Sequence, residues 1–199
     1  MAELTPTTVT APPVTASASS KTPRRESLDG CWKLDRNRVE PSMRGYLETL
    51  NVAELAIQAH EKGEQETDTF HTIELSGDKV KITKRSRVNS DLVVELTLGV
   101  EHVEYLQPDS RPKKQLASTE DPGKHLQIQS SLLTVNGMAH VTDFKRLVQE
   151  ENDTKSVMIQ ELTITNPESG KTHTTTRYFN PYDGLLEVEE ESGDKMEVE

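Results

Sequence analysis

From residue 69 onward, apolar side chains fall on every second position in short runs, and clusters of turn residues separate the runs. Thr69 to Leu75 and Lys79 to Arg85 flank Ser76-Gly77-Asp78, which predicts a hairpin with Val80 and Ile82 on one face. Leu92, Val94, Leu96 and Leu98 alternate with Val93, Glu95 and Thr97, so one side of that strand is expected to be wholly apolar. Glu101 to Gln107 reads as a further strand after the break at Gly99. Turn signals at Pro108-Asp109-Ser110, Asp121-Pro122-Gly123, Asn136-Gly137, Glu151-Asn152-Asp153 and Asn166 to Gly170 divide the remainder into more strands. The total is about ten short strands.

The beginning of the chain follows a different period. Asp29 to Arg38 predicts a strand, with Trp32 in a Gly-x-Trp-Lys-Leu box. Met43, Tyr46, Leu47 and Leu50, then Val52, Leu55, Ala56 and Ala59, recur at helical spacing on either side of Asn51. Two short helices ending near Gly63 are predicted. Many antiparallel strands with one early helix pair argue for an up-and-down barrel or a sandwich, and the helices favour a barrel with a lidded mouth. Such a barrel is wide enough to enclose a ligand.

Composition sets the limits of the folded part. Hydrophobic residues make up 32% of the 199 positions, below the usual 45–50% or so, which indicates poorly packed ends around a smaller core. Residues 1–27 are Thr, Ser, Pro and Ala with few large apolar side chains, and residues 183–199 carry eight acids against Lys195. Both are expected to be tails, leaving one domain over residues 28–182. Without these ends, 23 Lys and Arg fall to 19 and 34 acids fall to 24. A mildly acidic domain without an aromatic and basic stacking surface is a poor partner for nucleic acid. Cys31 is the sole cysteine, so no intrachain disulfide can form. No signal or membrane-spanning stretch is visible, and a reducing, cytoplasmic setting is expected. The Ser/Thr-rich start has some transit-peptide character, but Glu3 and the lack of amphipathicity favour a plain tail. Arg24-Arg25-Glu26-Ser27 matches a basic-directed kinase site, with Ser27 as acceptor.

Several motifs, in order, resemble the cytoplasmic fatty-acid-binding proteins and their cellular retinoid-binding relatives. They are Gly30-Cys31-Trp32-Lys33-Leu34, the run Met43 to Val52, Leu98-Gly99-Val100-Glu101, Asp109-Ser110-Arg111 and Thr175-Thr176-Arg177-Tyr178-Phe179. The resemblance implies a ten-stranded antiparallel barrel with a helix-turn-helix lid between the first two strands. It also implies a noncovalently held long-chain fatty acid or related amphiphile, a monomer, transient membrane contact and no cofactor. By this resemblance the head-group anchors are Arg146 and Arg177, with Phe179 in place of the family's tyrosine and so one donor fewer. Met43 and Tyr46 correspond to lumen-facing helix positions, Val88 to a portal position often held by Phe, and Asp109 to a portal acid. The second helix carries Glu54, Gln58 and Glu61 with Lys62 alone at its end, a departure from members that approach anionic membranes through basic helices.

The residues support an anchor independently of the resemblance. A carboxylate entering an apolar cavity needs a charge-assisted donor, and guanidinium offers a two-pronged, permanently charged one. His140, Thr142, Phe144, Arg146 and Val148 share one face of their strand, as do His173, Thr175, Arg177 and Phe179. Either arginine could instead sit on the outer wall, Met43 and Tyr46 could be plain helix packing, and Asp109 an ordinary turn residue. The six histidines lack metal-ligand spacing, there is no phosphate-binding Gly-rich loop or Gly-x-Ser-x-Gly elbow, and Cys31 suits packing better than nucleophilic attack. No enzyme is expected. Two functions stay in view: a lipid carrier, and an interaction protein that keeps the barrel as a scaffold and works through its tails. A polar lumen, with Glu161 as the residue to watch, would favour the second. An outward lipocalin is a third, disfavoured by the early helices.

Overall fold

The computed structural model describes residues 24–38, 42–86, 89–106, 110–134, 136–150 and 156–184. The alternation resolves into ten strands: β1 (Gly30–Leu34), β2 (Thr69–Ser76), β3 (Lys79–Ser86), β4 (Asn89–Thr97), β5 (Glu101–Leu106), β6 (Arg111–Ser118), β7 (His125–Thr134), β8 (Gly137–Gln149), β9 (Ser156–Asn166) and β10 (Lys171–Pro181). Helices α1 (Arg44–Thr49) and α2 (Glu54–Glu66) lie between β1 and β2. Each strand pairs antiparallel with its neighbour in sequence except β4 with β5, and β1 also pairs with β10. The sheet therefore curls round in the order β4-β3-β2-β1-β10-β9-β8-β7-β6-β5. Between its edges β4 and β5, closure rests on a parallel bridge from Leu98 to Ala117 of β6. The result is a nearly closed barrel with a two-helix lid.

Local chemistry sets the element ends. The β2–β3 turn places Gly77 at φ +60, a conformation that carries no Cβ penalty for glycine. β1 stops at Leu34, earlier than the pattern predicts, because Asp35 caps a turn by accepting from Asn37 N and Arg38 N. α2 runs three residues past Gly63, where Thr67 donates through both its amide and its hydroxyl to the Gly63 carbonyl. The expected apolar face of β4 holds only in part. Leu96 is buried and Val94 and Leu98 pack against the core, but Leu92 is 47% exposed, since an edge strand has no neighbour to cover it.

One end of the barrel is filled by a cluster that includes Trp32, Leu34, Ile73, Val80, Leu126 and Phe179. The segment 24–29 crosses this end. Leu28 is fully buried there, its amide donates to Gly123 O at 2.6 Å, and its carbonyl accepts from Trp32 Nε1 at 2.7 Å. Arg25 lies over the Trp32 ring at 5.7 Å and pairs with Asp183 at 2.6 Å, while its amide donates to Ser156 Oγ. Arg25, the kinase-motif arginine, thus bridges the two ends of the described chain. Residues 1–23 and 185–199 lie outside the described residues.

Candidate functional site

Away from that filled end, inward-facing side chains of the strands and the inner faces of both helices enclose a cavity of about 390 Å³. Part of its wall is apolar: Ile82, Val94, Ile128, Leu132, Val141 and Leu162. Another part is charged or polar, with His71, Lys84, Asp143, Gln160 and Arg177. Met43 and Tyr46 from the α1 end, and His60 and Glu64 from α2, complete it. An amphipathic lining of this size fits a ligand with one apolar and one polar end.

Asp143 organises the polar part. Its Oδ1 accepts from Lys145 Nζ at 2.5 Å and Gln160 Nε2 at 2.8 Å, and its Oδ2 accepts from Lys84 Nζ at 3.2 Å. Burial alone would raise the pKa of this carboxyl, but the two ammonium groups and these hydrogen bonds outweigh burial and hold it well below the usual carboxylate range. Lys145 is fully buried, which lowers its pKa to about 8 with Lys84 adding to the effect and Asp143 opposing it. His71 stacks on Phe179 with ring centroids 4.5 Å apart, and burial together with the Lys84 and Lys145 charges holds it neutral. Tyr46 is pushed up to about 12 by burial, with Asp143 adding to it.

Arg177 is the second feature. It projects inward from β10, is only 7% exposed, and among the described residues its one ion-pair partner is Glu64 of α2, at 2.6 Å. Burial lowers its pKa and the Glu64 carboxylate resists the shift. Its Nε is buried without a hydrogen-bond partner, as are His71 Nδ1, Gln160 Oε1 and Thr175 Oγ1. Buried polar atoms left open in this way normally meet water or ligand.

The expected site residues divide accordingly. Met43, Tyr46 and Arg177 come together in the cavity, and Phe179 is fully buried beside it against His71. Arg146 does not join them. It is on the outer wall, its side chain 40% exposed and paired with an equally exposed Glu161 at 3.3 Å. Alternation along β8 gives the reason: Ala139, Asp143 and Lys145 are buried, so the even-numbered Arg146 faces outward. Glu161 is likewise not in the lumen, whose polarity arises from the Asp143 cluster. Val88 and Asp109 lie outside the described residues. Sequence reasoning missed Glu64, His71, Lys84, Asp143, Lys145 and Gln160. Parity with the apolar Ala139, Val141 and Leu147 could have found Asp143 and Lys145. Among the described residues, no group of His, Cys, Asp and Glu is placed to hold a metal, and no helix is long and apolar enough to cross a membrane.

No family model and no curated protein sequence matches the chain. Solved structures match by shape. The fatty-acid-binding protein of Drosophila melanogaster brain is 21% identical with a TM-score of 0.52, the match covering 75% of this chain and 95% of that one. Apo lipid binding protein 8 of Caenorhabditis elegans is 18% identical with a TM-score of 0.54, over 77% and 94% of the two chains. A secretory abundant heat soluble protein of Ramazzottius varieornatus is 17% identical with a TM-score of 0.55, over 78% and 95%. At such identities the likeness is one of fold: this chain has the lidded ten-stranded barrel that these proteins share.

Proposed function

We propose that the protein is a cytoplasmic carrier that holds a fatty acid, or a similar amphiphile with one anionic head, noncovalently in the barrel and shields its chain from water. The observation that carries this reading is Arg177, a buried guanidinium with an unpartnered Nε, in a cavity whose wall is in part apolar. A carboxylate placed there would gain charge-assisted hydrogen bonds that water cannot easily replace, and its hydrocarbon chain would lie along Ile128, Leu132 and Val141. Arg177 is the anchor in this account, with Lys84 a further lumen-lining cation. The Drosophila and nematode proteins with this fold are a fatty-acid-binding and a lipid-binding protein by name.

A scaffold reading is favoured by one observation, the buried Asp143, Lys145, Lys84 and Gln160 network, which fills part of the lumen with polar groups. The two are separated by stripping the protein of lipid and titrating it with a fluorescent fatty-acid analogue. The carrier reading expects saturable binding at micromolar concentration or below. A folded, lipid-free protein that shows none would leave the scaffold.

A further inference from the structure

Glu64 has no role in binding as described so far, yet it occupies the anchor. It reaches from α2 into the cavity, is 14% exposed, and places Oε1 2.6 Å from an Arg177 terminal nitrogen. The contact is incomplete on both sides. Among the described residues, Arg177 Nε has no hydrogen-bond partner, and Glu64 Oε2 has only His60 at 3.9 Å, beyond hydrogen-bond reach. One prong of a two-pronged donor is used, and a carboxylate approaching along the fork would use both.

Resting on the carrier reading above, we infer that Glu64 is an internal substitute for the ligand's head group, which an anionic ligand displaces from Arg177 and a neutral one does not. Local geometry supports displacement over joint binding. Lys84 and Lys145 are held by Asp143, which leaves Arg177 as the cation that faces Glu64. Glu64 already holds one terminal nitrogen of that guanidinium at 2.6 Å, so a ligand carboxylate seated on the same fork would lie beside the Glu64 carboxylate and set like charges against each other in a poorly screened site. The displaced carboxylate is on the lid. Ile57, His60 and Glu64, at i, i+3 and i+7, form the face of α2 turned to the barrel. Losing the Glu64 tie therefore loosens α2, and a loaded carrier has a looser second helix than an empty one. Glu64 thereby sets head-group specificity and couples occupancy to the lid.

The test uses the full-length, lipid-free protein with 11-(dansylamino)undecanoic acid and its methyl ester as probes. Wild type is compared with Glu64→Gln, and amide hydrogen exchange is followed over residues 54–66. Glu64→Gln is expected to tighten acid binding about tenfold, roughly 1.4 kcal/mol, and to leave the ester within twofold. The acid is expected to speed α2 exchange in wild type and to change nothing further in the variant. If Glu64→Gln fails to fold, Glu64→Asp, one methylene shorter, is expected to tighten the acid to a lesser degree. Acid binding no tighter in a folded variant, or α2 exchange slowed by the acid in wild type, overturns the inference while leaving the carrier intact. No saturable binding of either probe by folded wild type overturns both.

Discussion

Asp143→Asn is the sharpest perturbation of the lumen. The change keeps the shape of the side chain and removes the charge that faces Lys145 at 2.5 Å and Lys84 at 3.2 Å. Lys84 is 31% exposed and can move toward solvent, but Lys145 is fully buried and cannot. Breaking a buried ion pair by removing one partner costs about 3–5 kcal/mol. Deprotonation sets a ceiling, because an amine with an ordinary pKa of 10.5 gives up its proton at pH 7 for about 5 kcal/mol, at 1.36 kcal/mol per pH unit. A loss near 4 kcal/mol is about half the stability of a typical domain. Its pH dependence is diagnostic. In wild type the folded-state pKa of Lys145 is about 8, below its unfolded value of 10.5, so stability is constant below about 8 and rises from there toward 10.5. Without Asp143 the folded pKa falls further, the rise starts at lower pH, and the deficit narrows by up to about 1.4 kcal/mol per unit between pH 6.5 and 8. Urea denaturation of both proteins across this window measures it. Adding Lys145→Met to Asp143→Asn should restore most of the loss, since neither buried charge is then left alone. A deficit under about 1 kcal/mol, or one independent of pH, would refute the argument.

Other consequences are open to simple assays. Leu28→Ala should cost about 2–5 kcal/mol in urea denaturation, as a fully buried side chain in the barrel-end cluster is lost; a loss below 1 kcal/mol would show that the 24–29 segment does not seal that end. Spectrophotometric titration should find a phenol with a midpoint of about 12 that disappears in Tyr46→Phe, while a midpoint at the ordinary value of 10 would place Tyr46 in water. Thr175→Val should be tolerated within about 1 kcal/mol in thermal melts, because its buried hydroxyl has no protein partner to lose among the described residues.

The fold was legible because its signals are local. Period-two alternation, Gly77 and the other turn residues, and the helix pair after Trp32 specify strands and their order, and an antiparallel meander needs no long-range information to choose neighbours. The site was legible only where residue type and strand parity agreed. Arg177 shares parity with the buried Thr175 and Phe179, and it faces inward as expected. For Arg146 a motif resemblance overrode parity: the apolar Ala139, Val141 and Leu147 mark the odd positions of β8 as the inner face, and that places Lys145 inside. The Asp143 cluster was missed because charged side chains are presumed exposed, and three of them, Asp143, Lys145 and Lys84, are held here by one another and by Gln160. Glu64 was missed because it meets Arg177 from 113 positions away, a distance that no local pattern spans.

The most direct test of the carrier is calorimetric titration of hexadecanoic acid into lipid-free wild type, Arg177→Gln and Arg146→Gln, each first shown to be folded. The account predicts saturable binding by wild type at micromolar concentration or below, weakened at least tenfold by Arg177→Gln and changed less than twofold by Arg146→Gln. No saturable binding by wild type, or equal affinity for wild type and Arg177→Gln, would contradict it.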